Sequence, residues 1–220
     1  MRPKFDLSLY LVTDSSYHEE PEFLRRVEAA CRGGVTIVQL REKNRSSREY
    51  YMLACQVKAI TDRYGIPLLI DDRVDIAQAC GAAGVHLGAA DLPVSVARRI
   101  LGPDRIIGAT AKTVAWAMDE KNQGADYLGV GAMFPTATKV NTVLTPVSVL
   151  ADIIREVRLP VVAIGGLDAE NCGVLEGIPV DGIAVVRALM LADDPERAAR
   201  ELRGRADELR LAKGERFRVQ

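Results

Sequence analysis

Val35-Thr36-Ile37-Val38-Gln39-Leu40-Arg41-Glu42-Lys43 decides how this chain is read. The first half is apolar without polar alternation, which describes a strand covered on both faces, as in a parallel sheet packed under helices. The second half turns at once to an amide and then to charge. Alternate residues of an extended segment point the same way, so Gln39, Arg41 and Lys43 share one direction at the end of a buried strand. Such an end is suited to holding an anion.

Working outward, the same design recurs. Before the stretch lie an apolar strand, Leu7 to Thr13, and a helix from Glu22 to Arg32, with Phe23, Leu24, Val27, Ala30 and Cys31 on one side. Gly33-Gly34 stops that helix. After the stretch, Ser46 and Glu49 have the spacing of a capping box for a helix running to about Tyr64. Ile66 to Ile70 is a third strand, closing on Asp71-Asp72-Arg73-Val74-Asp75. A helix from Val74 to Cys80, the strand Gly84 to Leu87 and a helix starting near Leu92-Pro93, with Asp91 as its expected N-cap, follow. Arg105 to Ala109 is a fifth strand, Thr113 to Gln123 a helix, and Asp126 to Val130 a sixth strand leading into the loop Gly131 to Thr145. A helix from Pro146 to Val157, the strand Pro160 to Ile164, Gly165-Gly166, a short helix, the strand Gly182 to Val186 and a helix from Pro195 to Leu211 complete the chain.

Strand–helix units thus repeat roughly every 25 to 30 residues, and eight of them predict an α/β fold, a closed (β/α)8 TIM barrel forming one domain over residues 1–220. An open doubly wound sheet is the competing architecture, but no strand is followed by G-x-G-x-x-G. Hydrophobic residues make up 48% of the chain and aromatic residues 5%, which favours helix-on-sheet packing over a β-sandwich. Basic and acidic residues number 29 and 30, so bulk charge gives no reason to expect nucleic acid or a membrane surface as partner. Cys31, Cys55, Cys80 and Cys172 are scattered among apolar or small residues with no C-x-x-C pair, as expected of reduced cysteines packed as small hydrophobes. With no signal stretch and no long apolar run, the expected location is cytoplasmic.

In such a barrel the reacting groups lie at the C-terminal ends of the strands. There the chain collects Gln39, Arg41 and Lys43, then Asp71 and Asp72, Asp91, Thr110 and Lys112, and finally Thr136, Thr138 and Lys139. Asp72 and Asp91, with no Cys or His cluster beside them, suit a hard cation such as Mg²⁺; taken singly they read as a turn residue and a helix cap. Gly165-Gly166 and Val186-Arg187 stand where many barrels bind a phosphate between their last two loops. A diphosphate with metal on one side and a monophosphate on the other would face one mouth. His86, alone on strand four, reads as a satisfied structural histidine, His18 carries no signal and Trp116 reads as a packing residue.

The order of several motifs resembles the thiamine phosphate synthase family. They are Tyr10-Leu11-Val12-Thr13-Asp14, Val38-Gln39-Leu40-Arg41-Glu42-Lys43, Asp72-Arg73-Val74-Asp75-Ile76-Ala77, Gly84-Val85-His86-Leu87-Gly88, Gly124-Ala125-Asp126-Tyr127, Phe134-Pro135-Thr136-Ala137-Thr138-Lys139 and Ala163-Ile164-Gly165-Gly166. The resemblance implies a transferase that joins a hydroxymethylpyrimidine diphosphate to a thiazole phosphate, releasing diphosphate. It implies that Gln39, Arg41, Lys43 and Lys139 bind the diphosphate substrate, with Arg41, Lys43 and Lys139 acting in catalysis, and that Asp72 and Asp91 hold Mg²⁺. By the same resemblance Thr136, Thr138, Gly166, Val186 and Arg187 contact the thiazole phosphate. Four positions depart from the family pattern: Asp71 where Asn is usual, Ala89 where Gln is common, Thr110 for Ser, and Arg187 for a small residue. The segment Val140 to Thr145 also lacks an expected glycine. A thiazole phosphate tautomerase, or a non-catalytic phosphate-ligand binder on the same barrel, are the competing functions. The expected partners are small molecules, with a homo-oligomer left open.

Overall fold

The computed structural model describes residues 5–136 and 143–216. Eight short strands carry the sheet: β1 Leu9–Val12, β2 Ile37–Leu40, β3 Leu68–Asp71, β4 Gly84–Leu87, β5 Ile106–Ala111, β6 Tyr127–Gly131, β7 Val161–Ile164 and β8 Gly182–Val185. Each pairs in parallel with the next, and β1 pairs with β8, so the sheet closes in sequence order. The helices are α1 Glu20–Arg32, α2 Ser47–Arg63, α3 Val74–Cys80, α4 Val94–Leu101, α5 Val114–Gln123, α6 Val147–Val157, α7 Arg187–Met190 and α8 Pro195–Arg216. The (β/α)8 barrel read from the sequence is therefore the observed fold.

Strand periodicity divides the core in two. Leu9, Leu11, Val38, Leu40, Ile70, Val85, Ile107 and Leu128 point outward against the helices, in one large buried cluster. Tyr10, Val12, Ile37, Leu69, Ile106, Tyr127, Val162 and Ala184 point inward and fill the barrel. This is why the strands lack polar alternation: both of their faces are covered.

The ends opposite the mouth are pinned by carboxylates. Asp126, just before β6, accepts from the Ile107 amide at 2.8 Å and from Arg98 Nη2 at 2.6 Å. The same Arg98 donates to the carbonyls of Arg105 and Gly124. Asp181 repeats the device before β8, accepting from the Val161 amide at 2.9 Å.

Local signals behave as read in most places. Ser46 and Glu49 form the reciprocal capping box of α2. Asp91 is a correction, because α4 begins after Pro93, which supplies no side-chain cap, and Asp91 Oδ2 turns back to accept from the Gly88 amide at 2.6 Å. The short helix expected after β7 is a single 3₁₀ turn, Cys172–Leu175, and α7, which follows β8 at once, was not anticipated. Of the cysteines, all free, Cys31 and Cys172 are buried and Cys55 and Cys80 half-buried.

Candidate active site

A cavity of about 550 Å³ opens at the C-terminal end of the strands. Gln39, Arg41, Asp71, Thr110, Thr136, Gly166, Val186 and Arg187, all singled out from sequence, line it. Lys43, Asp72 and Asp91 are not among its lining residues; Lys43 meets the wall at Asp71 and bridges from there to Asp72. Thr138 and Lys139 lie outside the described residues.

One side of the mouth is a compact charge cluster built by β2 and β3. Lys43 Nζ lies 2.6 Å from Asp71 Oδ2 and 2.5 Å from Asp72 Oδ2. Arg41 reaches Asp14 at 3.6 Å and Asp71 at 4.0 Å. Burial pushes the Asp71 carboxyl upward, with Lys43 and Arg41 opposing it. Burial raises Asp72 as well, and the Asp71 and Asp91 charges add to the effect while Lys43 resists it. Burial works against the Lys43 ammonium too, yet the two carboxylates outweigh it and hold the group above the usual lysine range. Asp72 adopts the left-handed conformation at φ 55°, uncommon outside glycine, so that β3 turns straight into α3 with both carboxylates at the mouth. Glu42 points away from this cluster, under Ser15 and Arg45, which hold its Oε2 at 2.7 and 3.1 Å.

The loops after β7 and β8 build another side. Gly165 and Gly166 both have positive φ, 102° and 68°. A Cβ on Gly165 would lie 2.5 Å from Ala132, and one on Gly166 would lie 2.7 Å from Phe134 Cβ and 2.9 Å from the Pro135 carbonyl. The pair is thus needed for packing against the β6 loop, whatever else it binds. Asn171 donates to the Gly166 carbonyl at 2.8 Å and braces the turn. Arg187 is exposed on this rim and makes no ion pair among the described residues. His18, which carried no signal in sequence, donates from Nε2 to the Met190 carbonyl at 2.7 Å, and Arg26 donates to Ala192 at 2.6 Å; together they tie down the far end of α7.

The floor between the two sides is polar. Gln39 Nε2 donates to Tyr10 Oη at 2.7 Å, Tyr10 Oη lies 2.8 Å from Tyr127 Oη, and His86 contacts Tyr127 through Nδ1 and Thr110 through Nε2. His86 is satisfied, as expected, but it is also part of the cavity wall. Sequence reasoning missed Tyr10, Tyr127 and Asp168. The available signal was a tyrosine at an inward position of an otherwise aliphatic strand.

A closed barrel with a basic strand end, carboxylates and a glycine-built turn around one mouth defines an enzyme acting on phosphorylated small molecules. The model of the thiamine monophosphate synthase family matches residues 9–189. Over 190 residues the chain is 56% identical to thiamine-phosphate synthase 2 of Streptococcus pneumoniae, covering 86% of this chain and 90% of that protein. It is 52% identical over 193 residues to a thiamine-phosphate synthase of Enterococcus faecalis, covering 88% and 90% of the two chains. Among solved structures, a thiamine phosphate pyrophosphorylase from Pyrococcus furiosus superposes with a TM-score of 0.84 at 38% identity, over 92% of this chain and 96% of that one. The chain belongs to the thiamine monophosphate synthase family.

Proposed function

We propose that this transferase condenses 4-amino-2-methyl-5-hydroxymethylpyrimidine diphosphate with a thiazole phosphate, giving thiamine phosphate and diphosphate. The activity follows from family membership; the residue roles are read from the chemistry of the site. The observation that carries them is one cavity with Arg41 and the Lys43-bound Asp71 in one wall, Gly166 and Arg187 in another, and a polar floor between.

Bond breaking places the electron pair of the methylene–oxygen bond on diphosphate. Arg41 and Lys43 neutralise that growing charge, Lys43 by moving from its carboxylate partners toward the phosphate oxygens. The electron-rich pyrimidine carries the cation left behind, and the thiazole nitrogen adds its lone pair to form the new carbon–nitrogen bond. No nucleophilic side chain is required, so positioning contributes most of the acceleration. Gly166, Val186, Arg187 and Thr136 hold the thiazole phosphate, and Thr138 and Lys139 are assigned to the same two phosphates by their place in the family motif.

Among the described residues no three His, Cys, Asp or Glu side chains converge tightly enough to hold a metal ion. Asp72 and Asp91 nevertheless suit Mg²⁺, which takes one or two carboxylates and completes its shell with substrate phosphate and water. Lys43, an ammonium lying between Asp71 and Asp72, marks the Asp72 side of the corner as one that accepts positive charge. Asp72 and Asp91 would hold Mg²⁺, which would supply further charge neutralisation to the leaving group.

Mixing both substrates with Mg²⁺ should release diphosphate, and chelation should stop the release until Mg²⁺ is restored. Binding of thiazole phosphate without any diphosphate release would instead support the tautomerase or ligand-binding alternatives.

A further inference from the structure

The floor hydrogen bonds form a relay with a single self-consistent direction. An amide nitrogen only donates, so the Tyr10 oxygen accepts from Gln39. Tyr10 and Tyr127 are fully buried, and burial raises both phenols far above the ordinary tyrosine range, so each keeps its one proton. The Tyr10 proton therefore goes to Tyr127 Oη, 2.8 Å away, and the Tyr127 proton goes to His86 Nδ1, 2.9 Å away. An imidazole that accepts at Nδ1 carries its proton on Nε2, which donates to Thr110 Oγ1 at 3.0 Å. An imidazolium would donate from Nδ1 to Tyr127 and leave one of the two buried phenol protons without an acceptor. At the two ends, Gln39 Oε1 has no protein partner among the described residues, and the Thr110 oxygen is already an acceptor, which frees its own proton. Both residues line the cavity. Gly129 makes the relay possible, since a Cβ there would lie 3.1 Å from His86 Cε1.

We infer that Tyr10, Tyr127 and His86 are positioning residues that fix the polarity of the floor, an acceptor at Gln39 Oε1 and a donor at Thr110 Oγ1, and that this fixed polarity is the means by which the site tells the amino-substituted pyrimidine of the proposed reaction from its oxo counterpart. The selectivity half of this inference rests on the function proposed above. An aminopyrimidine offers an N–H donor and ring-nitrogen acceptors, which match the two ends. An oxo-pyrimidine offers a carbonyl and a ring N–H, which set acceptor against acceptor and donor against donor.

The chain has two histidines, so ¹⁵N NMR reads the tautomer of His86 directly on the free protein. The expected signature is a neutral ring protonated at Nε2; an Nδ1–H ring or a fast mixture would overturn the relay. Gln39→Glu replaces the donor at its head by an acceptor and should reverse every link, moving the His86 proton to Nδ1. An unchanged tautomer in that variant counts against the inference. Tyr127→Phe cuts the relay and should shrink the preference for the amino over the oxo pyrimidine diphosphate, measured as the ratio of kcat/KM values, at least tenfold, while KM for thiazole phosphate stays within twofold. An equal loss toward all substrates would mean a merely structural role. Should that variant not fold, Tyr10→Phe breaks the relay one link earlier and is read the same way. Absence of diphosphate release by the wild-type protein would overturn the functional reading and leave the tautomer result standing.

Discussion

Gly166→Ala tests the loop packing most directly, because its cost divides into two separable parts. The first is conformational: φ is 68° at this position, and an L-residue in the left-handed region costs about 1 to 2 kcal/mol. The second is steric. The new methyl would sit 2.7 Å from Phe134 Cβ and 2.9 Å from the Pro135 carbonyl, and neither is the end of a flexible side chain. Ordinary carbon contact begins near 3.5 Å, so the β6 loop must retreat by roughly 1 Å, an overpacking cost of about 1 to 3 kcal/mol. Together these predict a loss of about 2 to 5 kcal/mol. At roughly 2 to 4 °C per kcal/mol for a chain of this size, Tm should fall by about 4 to 20 °C. Gly65→Ala is the matched control, with φ 64° and open space around the new methyl, and should cost only the conformational part. Urea unfolding of both variants with unchanged m-values gives the comparison. If Gly166→Ala costs no more than Gly65→Ala, the claim that this glycine is wedged against the β6 loop is wrong. Since Phe134 and Pro135 lead into Thr136, KM for thiazole phosphate should also rise in Gly166→Ala and stay unchanged in Gly65→Ala.

Further expectations concern the charged groups. Lys43→Ala should cost at least about 2 kcal/mol in kcat/KM for the pyrimidine diphosphate, the scale of a lost charged hydrogen bond, and normal turnover would remove Lys43 from the site. Burial raises the Glu42 carboxyl despite Ser15 and Arg45, so between its unfolded and folded pKa values the folded chain holds a proton that the unfolded chain has released. That contribution favours folding at acid pH and is lost as pH rises from about 4.3 through the raised value. Glu42→Gln cannot lose it, so its stability relative to wild type should improve between pH 4 and pH 7 in urea titrations; a pH-independent difference would contradict the assignment. Arg187→Ser should raise KM for thiazole phosphate by roughly tenfold or more if the guanidinium holds the phosphate, and lower it if the side chain obstructs the pocket.

Much of the architecture was legible because the barrel writes itself one strand at a time. Ile37, Val38 and Leu40 are apolar because they face side chains inside the barrel or helices outside, and that pattern needs no partner to be recognised. The direction shared by Gln39 and Arg41 was legible for the same reason, and both line the cavity. What sequence could not supply is who meets whom across strands. Lys43 lies between Asp71 and Asp72 because β2 and β3 end side by side, and the floor relay joins β1, β2, β4, β5 and β6, whose members lie up to 117 residues apart. Asp91 was misread because Pro93, not the nearest carboxylate, sets where α4 begins. Gly165-Gly166 was legible by its place in the strand order but not as a wedge, since the atoms that crowd it come from the preceding unit.

The carboxylates at the far ends of the strands have a consequence for how this chain tolerates change. Asp126 and Asp181 fasten β5 and β7 from below, through backbone amides that any residue but proline supplies. Mechanical integrity is thus secured at one pole of the barrel and chemistry is practised at the other. Substitutions at the mouth, at positions such as the exposed Arg187, can accumulate as trials of new specificity while the frame beneath them stays closed. The fold behaves as a socket with replaceable contacts.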